Sequence, residues 1–391
     1  MIARQKFIAR ATFAVIGAAI AFIIGPNVAE ANTEQVLYNF QGEPSGAQPN
    51  GGLIRDDEGN FYGTTYGGGT SNFGTIFQMK RGRVKTLFSF GNFTDNAQPT
   101  CKLIRDAAGN LYGSAGRTGV KSGVFKLTPQ GAESVLHSFN GGGDGLGQVS
   151  DLVADAAGNL YGTTDGGGVR DSGTVFKLTP AGVETVLYSF RGGNDGGLPK
   201  NKDGMTLDAE GNLYGTTYMG GANNFGTIFK VTPSGQHTVL HSFGGLDGIR
   251  PYSGVVMDGA GNLYGTTQDG GSPDDGLVYQ LTPEGTLNVL YTFTGGSDGG
   301  TSITGVILDR LGNLYGVTSS GGNSSLGTVY QITPEGTKTV LYNFLGFDAG
   351  DGSYPAAGLL MDGKGNLYGT TTSGGTTGNG TIFKVSNRVT N

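Results

Sequence analysis

Cysteine, histidine and tryptophan are scarce in this chain of 391 residues, which contains one cysteine, three histidines and no tryptophan. The single cysteine, Cys101, excludes an intramolecular disulfide, so stability must come from packing. His137, His237 and His241 give little material for a histidine metal site or a catalytic triad: two replace a tyrosine at the end of a strand and the third falls in a hairpin. Basic residues number 25 against 31 acidic ones, so the electrostatic footprint of a nucleic-acid or anionic-membrane partner is missing. Glycine-rich strings such as "GGGDG" (141–145) lack both a following helix and a Gly-Lys-Ser/Thr ending, which excludes phosphate-loop and dinucleotide motifs. Beyond the N-terminus no stretch shows helical periodicity.

Long apolar runs are also absent except at the start. Arg4, Lys6 and Arg10 precede an apolar run from Ala11 to Ile24, then Pro26 and the small-residue pattern Ala29-Glu30-Ala31. That is the layout of a secretory signal peptide, 1–31, and the run is shorter than the roughly 20 residues of a spanning helix. No cysteine stands at the junction to carry a lipid. Cleavage there leaves 22 basic and 30 acidic residues in 32–391, a formal charge of −8. The expected location is the periplasm or the cell exterior, with no membrane contact once the leader is removed.

What the chain has in abundance is glycine, 76 residues, interleaved with Val, Ile, Leu, Phe and Tyr at fixed spacing. The phrase "GNLYGTT" and its variants anchor seven repeats at Gly59, Gly109, Gly158, Gly211, Gly261, Gly312 and Gly365, spaced by 50, 49, 53, 50, 51 and 53 residues. A period near 50 belongs to propeller blades and excludes the shorter helical repeats. Each unit reads as four strands, in the third copy "SDLVAD", "NLYGTT", "GTVFKLTP" and "ETVLYSF", joined by turn sequences such as "DAAGN" and "TPAG". The last unit stops after its third strand, "GTIFKV", while the chain after the leader opens with an orphan fourth strand, "EQVLYNF". The two complete one blade. The expected fold is all-β: a seven-bladed β-propeller of four-stranded repeats over 32–391, closed by the N-terminal strand, which removes exposed edges at the seam. Leu and Tyr of "NLYG" are expected to pack between blades, and the aspartate three residues before each anchor glycine, Asp56 through Asp362, to bond turn amides.

The tandem phrases "GNLYGTT", "GTVFKLTP" and "TVLYSF" resemble the GloVer repeats of choice-of-anchor tandem-repeat proteins, over nearly all of Val36 to Val385. The resemblance implies export, a tandem β-structure and, in many members, a C-terminal sorting or anchoring segment. It brings no catalytic residues, and the apolar tail of an anchor is not seen before Asn391. The absence of tryptophan weakens a WD-repeat or quinoprotein reading.

Variation gathers in the loops between second and third strands and in the crossings between blades, which share one face. Subtracting the repeat leaves ligand-binding candidates Tyr66, Arg117, Asp165, Arg170, Tyr218, Arg250, Tyr252, Asp269 and Tyr354, with Asp171, Asp274 and Asp275 as further loop acids. Oxygen-rich loops could hold calcium, Asp274 and Asp275 being the nearest to a metal site, although "SPDDG" lacks the length and spacing of an EF-hand loop. No other cofactor is indicated. The aspartates of the crossings, Asp95, Asp144, Asp195, Asp247, Asp298 and Asp351, are expected to form turns. Two functions are compatible with this. The favoured one is an exported, monomeric, non-catalytic binding or scaffold protein whose variable face contacts a glycan, a peptide or another envelope protein. The alternative is a hydrolase or lyase using a channel-mouth carboxylate with a divalent cation. Asymmetry at the channel mouth separates them, since an enzyme brings a few non-repeated acids and bases within hydrogen-bond reach.

Overall fold

The computed structural model of the protein describes residues 33–91, 97–116 and 122–386. Contacts divide the chain after Ala31, and everything below concerns the unit Asn32–Asn391. The leader, Asp95 and Arg117 lie outside the described residues.

The strands form seven separate antiparallel sheets, each built on four strands, consecutive in sequence in six of them and completed by the N-terminal strand in the seventh, which makes the protein a seven-bladed β-propeller. Blades are numbered from the one containing Phe61–Thr65 to the one containing Leu367–Gly374. Blade three consists of Val153–Ala154, Leu160–Gly166, Thr174–Leu178 and Glu184–Ser189. Its first strand has two residues, shorter than "SDLVAD" suggests. The first strands of the other six blades have two residues as well. Upstream, Ser150 still donates its amide to the Thr163 carbonyl of the second strand at 2.9 Å while its own carbonyl accepts Ser114 of blade two at 3.0 Å, and the Asp151 carboxylate accepts the Lys102 amide at 2.9 Å. In blades three and seven the approach to the first strand, Leu146–Val149 and Gly352–Pro355, pairs with the second strand as a fifth member.

The ring closes as the sequence suggests. Glu34–Asn39 pairs with Thr381–Val385, the third strand of blade seven, with Val36 opposite Phe383 and Tyr38 opposite Ile382. Leu37 is bulged out between them. The same bulge occurs at Leu187, where Val186 faces Phe176 and Tyr188 faces Val175, so the closing strand copies the register of an internal one.

Aromatic side chains join the blades. The phenylalanine ending each fourth strand is fully buried and meets the aromatic ring of the next blade's third strand, edge to face in six seams and tilted between Phe139 and Phe176: Phe190 with Phe229 at 5.1 Å, Phe344 with Phe383 at 5.0 Å and, across the closure, Phe40 with Phe77 at 5.2 Å. The tip of that ring sits against the glycine of "LYG" in its own blade. A Cβ on Gly162 would stand 2.7 Å from Phe176 Cζ, and one on Gly215 would stand 2.8 Å from Phe229 Cζ. Glycine is needed there because a neighbouring ring takes the side-chain space.

The repeated aspartate clamps the hairpin that precedes each glycine strand. In blade three, Asp155 accepts the Asn159 amide at 2.9 Å, the Asn159 side chain at 2.7 Å and the Tyr161 hydroxyl at 2.9 Å. The same three bonds recur in the other six copies. Burial pushes these carboxyls up, but bonds from the asparagine side chain and amide and from the tyrosine outweigh it and hold all seven below the usual carboxylate range.

Two blades replace the third-strand phenylalanine by tyrosine, and at Tyr279 the hydroxyl is buried without a hydrogen-bond partner. Tyr279→Phe restores the residue used in blades one to four and seven. It should raise stability by about 1 kcal/mol, read as a higher denaturation midpoint at unchanged slope; a lower midpoint would mean that the hydroxyl has a bonded partner.

Candidate functional site

The repeat puts glycine at the innermost position of five blades, Gly52, Gly204, Gly254, Gly305 and Gly358, and breaks the rule in blades two and three with Lys102 and Asp151. Blade four breaks it differently. Pro199 and Asp208 are nine positions apart, whereas the equivalent Pro49 and Asp56 are seven apart. Asn201 keeps its place in the repeat, because its Oδ1 accepts the Thr216 amide at 2.8 Å as Ser150 Oγ accepts the Thr163 amide at 2.9 Å. The surplus pair is therefore Lys202-Asp203.

This pair projects into the central channel and braces it. The Asp203 carboxylate accepts the Gly305 amide at 2.7 Å and the Gly358 amide at 2.9 Å, reaching blades six and seven. Lys202 Nζ donates to Asn50 Oδ1 of blade one at 2.7 Å, while its backbone bridges to Tyr252 and Gly254 of blade five. Asp151, buried in blade three, completes the cluster. Burial first, then the charge of Asp203, pushes its carboxyl up to about 7, against the Lys102 amide bond and the attraction of Lys102 and Lys202. Burial also pulls the Lys202 ammonium down, opposed by Asp203 and Asp151. The channel thus holds a carboxyl poised near neutrality close to an ammonium.

At the channel mouth, on the variable-loop face, a second group runs across blades three, four and five. Asp165 is buried at the end of its strand; one oxygen accepts the Gln148 amide at 2.7 Å and the other the Lys200 ammonium at 2.6 Å. Tyr252 faces this pair. Burial raises its phenol, Lys200 lowers it, and Asp165 and Tyr218 raise it. The rings of Tyr252 and Tyr218 meet edge to face at 5.9 Å; the Arg250 guanidinium lies 5.9 Å from the Tyr218 ring centre and donates to Asp269 at 3.2 Å. Five sequence candidates, Asp165, Tyr218, Arg250, Tyr252 and Asp269, are therefore brought together with Lys200, which the sequence reading missed.

The remaining candidates stand apart from this group. Tyr66, in blade one, donates its amide to the Gln48 carbonyl at 3.1 Å, and Tyr354 is 46% exposed in blade seven. Arg170 is exposed on its loop. Asp274 accepts the Gly270 amide at 2.6 Å, as Asn72, Asp171 and Asn224 accept the amides of Gly68, Gly167 and Gly220 at 2.7, 2.7 and 2.9 Å. Asp274 and Asp171 thus occupy a repeated turn-capping place. Asp275 contributes its carbonyl to the Thr301 amide at 2.9 Å. Among the described residues, the histidine expected in a hairpin, His237, instead begins a strand, His237–Ser242, and stacks on Tyr188 at 4.3 Å.

Seven blades around a channel cross-braced by an inserted Lys-Asp pair, with a polar and aromatic mouth on one sector, define a repeat propeller of broken symmetry. The chain belongs to the Gloeobacter/Verrucomicrobia repeat family, whose model matches residues 22–153, 114–310 and 295–391. A comparison with curated proteins finds no match. Among solved structures, the chain is similar to the extracellular domain of a proposed one-component system from B. thetaiotaomicron, with 12% identity and a TM-score of 0.55; the match covers 90% of this chain and 40% of that one. It is similar to a proposed 6-phosphogluconolactonase from Bacteroides uniformis at 17% identity and a TM-score of 0.50, over 75% of this chain and 83% of the other. It also matches a gluconolactonase from Xanthomonas campestris at 15% identity and a TM-score of 0.45, over 73% and 86%. At these identities the likeness is one of fold. Among the described residues no helix is long and apolar enough to cross a membrane.

Asp203→Ala would leave two inward-facing amides without their carboxylate and should cost about 2 to 4 kcal/mol, seen as a lower melting temperature; an unchanged one would mean that the brace is dispensable. The contribution of Asp151 to stability runs opposite to that of the seven clamp aspartates, whose carboxyls are held low. Because its folded pKa is raised, the folded state binds more protons than the unfolded one between roughly pH 4 and 7, so its stabilisation is complete below that window and lost as pH rises through it. Asp151→Asn should flatten the fall in stability across this range, and an unaltered pH profile would contradict the assignment.

Proposed function

We propose that the chain is an exported, non-catalytic binding propeller that takes a polar ligand of the saccharide type at the mouth formed by Asp165, Lys200, Tyr218, Arg250, Tyr252 and Asp269. The observation that carries this reading is the state of those groups: Lys200 is bonded to Asp165 and Arg250 to Asp269, while two tyrosine rings lie between them. A mouth of paired charges and aromatic faces supplies hydrogen bonds and stacking surface in fixed positions. Of the partners compatible with the sequence, a glycan suits this better than a peptide or an envelope protein, which would call on more of the face. Export rests on the leader pattern of residues 1–31. A monomer is part of this proposal, supported by the closing strand, which pairs the edge at the seam that a second copy could otherwise extend.

A hydrolase or lyase is the second reading, and Asp151 is what favours it. A carboxyl held near pH 7 beside Lys202 has the protonation behaviour of a general acid or base. Against it, Asp151 is 5% exposed and Asp203 is occupied by two amides, so a substrate would have to displace the brace.

A glycan array followed by calorimetry on the best ligand separates the two. Binding should fall at least tenfold in Tyr252→Ala and in Tyr218→Ala, with Asp151→Asn unaffected. Turnover of a lactone or ester that disappears in Asp151→Asn would replace the binding reading with the enzymatic one.

A further inference from the structure

Among the described residues, the five seams from that between blades two and three to that between blades six and seven contain a niche made of three side chains: the residue two before the terminal phenylalanine of a fourth strand, the aspartate of the crossing that follows, and the first residue of the next blade's fourth strand. Register makes the third position equivalent throughout, since Glu184, His237, Leu287, Lys338 and Glu34 face Leu178, Val231, Leu281, Ile332 and Val385. In the seam between blades five and six the niche is filled by a cation of the protein's own. The Lys338 ammonium donates to the Asp298 carbonyl and lies 5.3 Å from the Tyr291 ring centre and 5.5 Å from that of Phe293. The seam between blades three and four places His237 there, with Nδ1 at 3.4 Å from Asp195.

Between blades two and three the chemistry is reversed. The third residue is Glu184, which brings a second carboxylate to Asp144, and the usual tyrosine is His137, whose Nε2 lies 2.8 Å from Asp144 Oδ1. Glu184 Oε1 is buried without a hydrogen-bond partner. One imidazole nitrogen and two carboxylate oxygens lie within 4.8 Å of one another, in a place that another seam fills with an ammonium.

We propose that His137, Asp144 and Glu184 bind a divalent transition-metal ion of the zinc type across this seam. An imidazole with two carboxylates suits such an ion and leaves a fourth position open to water, whereas calcium prefers six to eight oxygens. The site is separate from the channel mouth, and binding there is independent of the ligand proposed for it. The pair His241 and Asp247, at 2.8 Å, has Leu287 in the third position and lacks the extra ligand, and His237, 3.4 Å from Asp195, itself takes up the third position. Three histidines are thus enough for a metal site, because the third ligand comes from the neighbouring blade.

The test is titration of the purified protein with zinc chloride by calorimetry, repeated with cobalt(II), whose visible absorption reports a low-coordinate site. His137→Tyr is the decisive variant, because it installs the side chain that Tyr188, Tyr291 and Tyr342 already supply at this position and so should fold. The wild type should bind one zinc ion, develop the cobalt bands and melt higher with zinc. His137→Tyr and Glu184→Gln should bind at least 100-fold more weakly and lose both the bands and the melting shift. Absence of saturable binding below millimolar zinc, or binding unchanged in His137→Tyr, would overturn the proposal.

Discussion

The structure depends on one contact repeated around a circle: a phenylalanine at the end of one blade packed against an aromatic ring of the next, with that ring seated on a glycine. Neither ring can be lost, and the glycine cannot gain a side chain, without disturbing the other two. A smaller residue at Phe190 leaves a cavity between sheets, a larger one at Gly215 pushes Phe229 off its seat, and either loosens two blades at once. Strand length, hairpin type and the aspartate clamp all serve to bring that contact into register. The closing strand satisfies the same condition through Phe40 and Phe77, so the seam where the chain ends meet is packed like the others.

A ring built on one repeated contact frees the positions that do not take part in it. Departures from the repeat therefore mark places where something other than ring closure was required. The inserted Lys202-Asp203 reaches across the channel to blades one, six and seven. The polar mouth occupies the neighbouring sector, and the seam between blades two and three alone combines histidine, aspartate and glutamate among the described residues. All three fall on blades two to five, so that side of the propeller carries more non-repeated chemistry than the other.

Much of the fold was legible because repetition multiplies a weak signal: one short strand is ambiguous, but seven copies with one register are not. The closing strand was legible from the orphan "EQVLYNF" and the missing fourth strand after Val385. Five of the mouth residues could be read as departures from the repeat. Their assembly could not, since Asp165 and Asp269 are set beside one another's partners by blade geometry and not by spacing along the chain. The channel brace left a trace, the 53-residue spacing between Gly158 and Gly211, yet a longer spacing is normally a loop insertion. Counting from Pro199 to Asp208 against Pro49 to Asp56 would have located it. Asp274 was misleading for the opposite reason: asparagine in other blades hides that its place is a repeated turn cap. The metal niche joins Glu184 to His137 across a seam, a relation no local motif shows.

The account stands on the claim that the ring is closed and unfolds as one body. The direct measurement is denaturation of Phe40→Ala beside Phe190→Ala, followed by two probes, one reporting the closing strand and one an internal blade. If the closure is equivalent to an internal seam, both variants lose about 3 to 5 kcal/mol and each shows a single transition with the probes coincident. If Phe40→Ala instead frays the closing strand early and leaves the main transition where it was, the ring is an open stack with a loosely attached end, and the central claim fails.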